Sequence, residues 1–179
     1  MQINQAVAAT LAAMPVPTSY AIPTPYPSPT QFDLRGLFCE YQFCIGHPTD
    51  MAFLDLSAQQ NTSTPSAYTQ GIIVFYSTNT FIRMVWQVSP GTADPQFLLD
   101  FILEDGIDTP VGSLDVKLVR DMSVIYTSIT SAATPVLPFG GAAAWTCGER
   151  VFAWKAYTPD EASAPALFES SLARFVCNR

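Results

Sequence analysis

The sequence is poor in charge and contains a single histidine. Asp, Glu, Lys and Arg make up 13% of its 179 residues, which is about half of the share found in ordinary soluble proteins. The eight basic residues are scattered from Arg35 to Arg179, and the formal net charge is −7. Phosphate backbones and anionic membrane surfaces both require clustered Lys and Arg. We therefore expect no nucleic-acid partner, and a membrane contact only through an N-terminal anchor.

The motifs that would indicate a catalytic centre, a metal ion or a cofactor are also missing. With one histidine, a Ser–His–Asp triad would have to use His47, and no G-x-S-x-G sequence accompanies it. The acidic run "DFILEDGIDTPVGSLD" lacks the ligand spacing of a calcium loop. The Gly140-Gly141 pair lacks the lysine of a phosphate-binding loop. We predict no catalytic residues of these classes, no metal and no cofactor.

Four cysteines are present, and none belongs to a C-x-x-C pair: Cys39, Cys44, Cys147 and Cys177. Zinc modules bring their ligands as two closely spaced pairs, whereas two disulfides are typical of a small exported domain. We therefore predict an oxidising, extracytoplasmic location, either the periplasm or the cell surface. The pairings Cys39–Cys44 and Cys147–Cys177 are favoured, and the crossed pairings remain alternatives.

The segment "LFCEYQFCIGHP" places two of these cysteines beside the histidine. Five steps along a regular strand would separate Cys39 from Cys44 by about 16 Å, on opposite faces. Their bridge therefore requires a bend or turn between Glu40 and Phe43. Cys44 and His47 would form a nucleophile–base pair only if the thiol were reduced. A bridged Cys44 excludes that chemistry, and we interpret "GHP" as a turn.

The chain divides into a tail, residues 1–32, and a single domain, residues 33–179. The tail contains "PVPTSYAIPTPYPSPT", which favours an extended, polyproline-type conformation. We interpret it as a stalk, with a docking motif for a proline-binding domain as the alternative. "MQINQAVAATLAAM" is too short to span a bilayer and lacks the basic start of a signal peptide. An export signal and any anchor are therefore expected upstream of Met1.

Within the domain, segments typical of strands outnumber those typical of helices. Hairpins are predicted to turn near residues 77–80 and at Gly148-Glu149. Asp94 and Pro95 indicate the start of one helix, and a second is expected after Thr158 or Ser163. The predicted apolar stripes are Phe97, Leu98, Phe101 and Ile102 in the first helix, which ends at Gly106, and Phe168, Leu172, Phe175 and Val176 in the second. The expected class is α+β, with a mainly antiparallel central sheet flanked by two principal helices.

This order of elements resembles the PsbP-like fold, a sandwich shared by the photosystem II extrinsic protein and a Ran-binding nuclear import factor. The resemblance covers roughly residues 36–176. It is carried by "IGHP" followed by "MAFLDL", the hairpin "GIIVFYSTNTFIRMVWQVS", the helix "PQFLLDFILEDG", the strand "VFAWKAYT" and the closing segment "PALFESSLARFV". It implies a non-catalytic binding or assembly domain and transfers no active-site motif. The stretch "FCEYQFCIGHP" also looks like exported, lipid-anchored bacterial proteins, which implies a lipoprotein-type member.

Three residues are candidates for ligand binding: Arg83, Asp105 and His47. Arg83 stands out because it lies in the apolar strand "FIRMVW", where it must reach an edge or pair with a carboxylate. Sheet aromatics are more often core than ligand contacts, and both interpretations remain open for Trp86, Trp145, Trp154, Tyr126 and Tyr157.

Two functions follow from these residues. The first is an exported, anchored, non-enzymatic domain that binds an unidentified protein or small ligand. The alternative is an extracytoplasmic hydrolase that uses the acidic residues around Asp105. Only the hydrolase requires a cleft that gathers Asp or Glu with Arg83 or His47, whereas a flat surface with exposed aromatics would favour the binding domain.

Overall fold

The computed structural model describes residues 34–56, 66–89 and 94–177, so the predicted tail and much of the polar loop at 58–70 lie outside the described residues. Within these ranges the chain forms ten strands and two helices. The strands are β1 (Gly36–Glu40), β2 (Phe43–His47), β3 (Ala52–Asp55), β4 (Gln70–Tyr76), β5 (Phe81–Val88), β6 (Asp108–Val119), β7 (Met122–Ser131), β8 (Phe139–Cys147), β9 (Arg150–Thr158) and β10 (Val176–Cys177). The helices are α1 (Pro95–Ile102) and α2 (Ser163–Ala173).

The strands form two antiparallel sheets. The large sheet has the order β3-β4-β5-β9-β8-β7-β6, and the small sheet has the order β1-β2-β10. Helix α1 packs on one face of the large sheet against β5, β8 and β9, while α2 packs on β8, β9 and β2. Strand β9 is buried at every position because both of its faces are covered. The predicted α+β class with two flanking helices is therefore confirmed, as are both predicted hairpins.

The first cysteine pair lies on a hairpin. Tyr41 and Gln42 have φ angles of 50° and 60°, as a two-residue type I′ turn requires. This turn places Cys39 directly opposite Cys44, with a Cα–Cα distance of 4.2 Å, and the two are disulfide-bonded. The expected interruption of the strand is therefore present. Arg150, fully buried, donates hydrogen bonds to the carbonyl oxygens of Tyr41 and Gln42 at 2.7 and 2.8 Å, which fixes the turn on the large sheet.

The end of the chain differs from the prediction. Helix α2 ends at Ala173, and Val176 and Cys177 form β10, which pairs with β2. Val176 is therefore not part of a helical stripe. It pairs with β2 through its main chain, and its side chain is exposed to solvent. Cys177 is bonded to Cys147, as expected, and it lies in β10.

Helix α1 begins where the sequence predicts, because the Asp94 side chain accepts a hydrogen bond from the Gln96 amide and Pro95 occupies the first turn. It ends at Ile102, before Gly106. The predicted stripe is wrong in part: the buried side chains are Leu98, Leu99 and Ile102, whereas Phe97 and Phe101 are exposed. An eight-residue helix with five apolar side chains offers two faces of similar hydrophobicity, and contact with β8 and β9 selects between them. No helix in the described ranges is long and apolar enough to cross a membrane.

Candidate ligand-binding site

An aromatic row crosses three neighbouring strands at one end of the large sheet. Tyr76 on β4 is opposite Phe81 on β5, and Phe81 is opposite Tyr157 on β9. Directly opposed residues in an antiparallel sheet project from the same face, and here it is the face that carries α1. The Phe81 and Tyr157 rings are stacked, with centroids 5.3 Å apart. Gly140 lies opposite Tyr157 on β8, so no side chain covers the row from that strand.

The aromatic row forms one wall of a cavity of about 280 Å³. The β7–β8 connection contributes Leu137 and Thr134 to the opposite side, and the segment after α1 contributes Glu104. Among the described residues that line this space, Glu104 is the only one with a charged side chain. The cavity is therefore mainly apolar and aromatic, with one carboxylate at its edge.

Behind the cavity lies a cluster of four charged side chains. Arg83 donates to Glu104 Oε1 at 2.6 Å, and Lys155 Nζ lies 3.2 Å from the same oxygen and 2.8 Å from Asp108 Oδ2. The Tyr157 hydroxyl donates to Asp108 Oδ1 at 2.7 Å. Of the two outcomes expected for Arg83, an edge position or a carboxylate partner, the structure shows the second.

The fold explains why this cluster assembles. Arg83 and Lys155 are opposite each other on β5 and β9, which would place two like charges side by side. The chain leaving α1 folds over them: the Asp108 amide donates to the Glu104 carbonyl, and the Asp108 carboxylate accepts from the Glu104 amide, both at 2.9 Å. This closed turn positions both carboxylates above the two cations and offsets their repulsion.

Only one carboxylate of the cluster can reach a ligand. The side chains of Asp108 and Lys155 are completely buried, whereas the Glu104 side chain is 41% exposed. Both cations contact Glu104 Oε1, and Oε2 has no partner within the described part of the chain. Burial, together with the hydrogen bond to Asp108, raises the pKa of the Tyr157 hydroxyl above its ordinary value, so this group remains a neutral hydrogen-bond donor.

The other two candidate residues lie away from the cavity. Asp105 is exposed in the turn after α1 and does not join the cluster. His47 stacks on Phe75 with ring centroids 4.6 Å apart, and its Nδ1 lies 2.7 Å from the Pro48 carbonyl oxygen. The interpretation of "GHP" as a turn is wrong, because Gly46 and His47 belong to β2 and pair with Leu37 and Gly36 of β1.

The large aromatic residues divide between core and cavity. Trp86, Trp145, Trp154 and Tyr126 are buried in the core, and only Tyr157 of the five lines the cavity. Lys155 was missed by the sequence patterns, although it carries the same signal as Arg83: a cation inside an apolar strand, here "VFAWKAYT". No group of three His, Cys, Asp or Glu side chains able to hold a metal ion is found in the described ranges.

The architecture is the PsbP-like fold. The solution structure of cyanobacterial PsbP (CyanoP) from Synechocystis sp. PCC 6803 matches this chain with a TM-score of 0.51 and 9% sequence identity, covering 76% of this chain and 87% of that one. A crystal structure from Bacteroides thetaiotaomicron VPI-5482 has a TM-score of 0.47 and 13% identity, covering 77% of this chain and 46% of that one. No protein-family model and no curated protein matches the sequence. The similarity to CyanoP shows the fold and leaves the activity to be argued from the site.

Proposed function

We propose that the protein is an extracytoplasmic, non-enzymatic binding domain that takes a small ligand into the aromatic cavity. The observation that carries this proposal is the cavity itself: three aromatic side chains, Tyr76, Phe81 and Tyr157, beside a single exposed carboxylate, Glu104. Ligand sites are typically concave and apolar, with a few polar groups that fix orientation. The PsbP-like fold agrees with a binding role.

The lining defines the chemistry of the ligand. Aromatic faces attract apolar bodies and cations, and the free Glu104 Oε2 accepts a hydrogen bond from an N–H or ammonium group. We therefore propose a ligand with a small apolar or aromatic body and one nitrogen donor. An anionic ligand is disfavoured because it would meet the Glu104 carboxylate directly.

The proposed location follows from the two disulfides. Bridges of this kind persist in oxidising compartments, which supports export to the periplasm or the cell surface. Attachment through a lipid anchor completes the proposal. The chemical test is to express the natural gene in its host and to search the membrane fraction for a lipid-modified N-terminus by mass spectrometry.

A hydrolase is the second candidate, because the structure does place Arg83 against a carboxylate beside a cavity. Acid–base hydrolysis of the glycosidase type needs two carboxylates that both reach the substrate. Asp108 is completely buried and bound to Lys155 and Tyr157, so only Glu104 borders the cavity. The binding function is therefore the better supported of the two.

Binding is tested with 2-phenylethylamine as the probe and 2-phenylethanol as its uncharged counterpart. Titration of ¹⁵N-labelled protein should shift amide signals around Phe81, Leu137 and Tyr157. Tyr76→Ala should weaken both probes because it removes an exposed ring of the wall. Glu104→Gln should weaken only the amine, which loses its charged partner. Signal shifts confined to another surface, or equal affinities for amine and alcohol in the wild type, would contradict the proposed ligand chemistry.

A further inference from the structure

Strand β6 forms one edge of the large sheet. One face of this strand carries a row of exposed apolar side chains. Leu114, Val116 and Leu118 alternate along the strand and are 49%, 73% and 77% exposed. Helix α1 lies on the same face of the sheet but against β5, β8 and β9. The apolar row is therefore left at the end of that face, on the second half of the edge strand, and an exposed apolar edge favours pairing with another strand.

The hydrogen-bonding groups of this edge have a defined direction. Val119 is opposite Met122 across the two-residue turn between β6 and β7, and the pair that closes such a turn exchanges hydrogen bonds. Lys117 and Asp115, at every second position back along β6, also exchange hydrogen bonds with β7. The N–H and C=O groups of Val116 and Leu118 therefore point to the open side of the strand.

We propose that β6 pairs with β6 of a second copy of this chain, antiparallel, about a two-fold axis at Val116. In this register Leu114 is opposite Leu118 of the partner subunit, so the apolar rows of the two copies are continuous. On the other face, Asp115 is opposite Lys117 of the partner subunit, and this contact occurs twice. Opposite charges that face each other across two strands stabilise the pair. The residues with outward main-chain groups face one another, so the ladder between the copies can form.

The neighbouring registers are disfavoured by the same residues. An axis at Asp115 or Lys117 would place like charges opposite each other and would also bring inward-pointing main-chain groups together. The ladder-compatible alternatives have their axis at Leu118 or Leu114. The first would place Asp115 opposite Asp121 of the partner subunit, which is destabilising, and the second would place Val116 opposite Gly112 of the partner subunit, where the strand is irregular. The sequence around Val116 therefore specifies one register rather than a set of sliding ones.

The first half of β6 limits the interface. Pro110 has no N–H group, and the pairing with β7 is irregular between Val111 and Asp115, where Gly112 has a φ angle of 79°. Pairing between the copies is thereby confined to the stretch from Leu114 to the turn. Because a two-fold contact uses each β6 edge once, the assembly closes as a dimer and does not extend into a fibre.

The test is analytical ultracentrifugation of the full chain over a range of concentrations, with charge variants of β6. Val116→Lys places two ammonium groups at the axis, and Asp115→Lys places lysine opposite Lys117. Each should weaken the dimer at least about tenfold. The double variant Asp115→Lys/Lys117→Asp restores opposite charges and should recover the dimer. Val136→Lys is the matched control, since Val136 is 63% exposed but lies outside β6.

A second measurement identifies the contact directly. Carbodiimide cross-linking of mixed ¹⁴N- and ¹⁵N-labelled protein should yield an Asp115–Lys117 amide that joins a light chain to a heavy one. A wild type that stays monomeric at its solubility limit would overturn the proposal. So would a dimer that Val116→Lys leaves intact, or one that appears only after residues 1–30 are deleted, because that segment would then be the natural occupant of the apolar row.

Discussion

Lys155 Nζ lies 2.8 Å from Asp108 Oδ2, and neither side chain is exposed to solvent. A lysine at the centre of a seven-stranded sheet is tolerated only because this carboxylate, Glu104 and the Tyr157 hydroxyl satisfy the charges between them. The same contacts hold the segment after α1 in place and set Glu104 at the cavity edge. The buried pair therefore connects the packing of the sheet to the geometry of the site.

Lys155→Met should destabilise the protein by about 3–5 kcal/mol, because it leaves the buried Asp108 carboxylate without a cation. Urea unfolding with the disulfides intact measures the change. The matched control is Glu169→Gln, which breaks an exposed pair with Lys117 from outside β6 and should cost no more than about 1 kcal/mol. Equal losses in the two variants would show that the buried pair contributes no more than an exposed one.

Local signals in the sequence predict most of the fold, including the β4–β5 hairpin, the β8–β9 hairpin and the start of α1 at Asp94. They also predict that Arg83 must reach an edge or pair with a carboxylate, because an isolated cation in an apolar strand has few other options. Features decided by distant parts of the chain are not predicted. The buried face of α1 depends on β8 and β9, and β10 forms because β2 offers an unpaired edge to residues that read as helix.

The sequence does not predict the cavity either, because its residues come from distant parts of the chain. Its aromatic row becomes visible only when β4, β5 and β9 are aligned in register, and its carboxylate comes from the segment after α1. Glu104 and Asp108 belong to an acidic run in which no single position stands out. Asp105, the member selected from that run, points to solvent.

Tyr126→Phe should leave stability near pH 7 unchanged to within about 1 kcal/mol, since within the described residues the buried hydroxyl has no hydrogen-bond partner. Burial raises the pKa of Tyr126 to about 12, with the nearby Ser128 hydroxyl offsetting part of the shift. The folded state then holds this proton more tightly than the unfolded chain. The contribution of Tyr126 is present below about pH 10 and is lost as the pH rises toward 12.

Urea unfolding at a series of alkaline pH values checks this expectation. Stability of the wild type should fall more steeply above pH 10 than that of the Phe variant, because only the wild type must ionise a buried phenol. Parallel curves for the two proteins would mean that Tyr126 ionises as readily in the folded state as in the unfolded chain.

The two disulfides should differ in their contributions. The Cys147–Cys177 bridge closes a loop of about 31 residues, worth about 3.7 kcal/mol in the chain-entropy model, whereas Cys39–Cys44 closes about six residues, worth about 2.2 kcal/mol. Replacing each pair by serine and measuring urea unfolding gives the comparison. Loss of Cys147–Cys177 should also increase hydrogen exchange in β10, which that bridge ties to the end of β8. The reverse order of stabilities would point to residual structure around residues 39–44 in the unfolded chain.

His47→Ala should bind 2-phenylethylamine as the wild type does, because His47 stacks on Phe75 and does not line the cavity. Loss of the stacking contact should cost about 1 kcal/mol of stability. Calorimetric titration and urea unfolding separate the two effects. Abolished binding with an unchanged fold would restore His47 as a ligand-binding residue.

Deletion of residues 1–30 should change the melting temperature by no more than about 2 °C. The domain closes its two cores with its own elements: α2 and the small sheet cover one face of the large sheet, and α1 covers the centre of the other. Since a ΔΔG of 1 kcal/mol shifts the melting temperature of a domain this size by about 2–4 °C, a larger drop would mean that the deleted segment packs on the domain. The exposed row of Leu114, Val116 and Leu118 is the surface that such a segment would cover. Combining Val116→Lys with the deletion distinguishes this case. If the deleted segment covers the row, the substitution lowers the melting temperature of the full chain and has no further effect on the shortened one, whereas the loss of a β6 dimer would affect both.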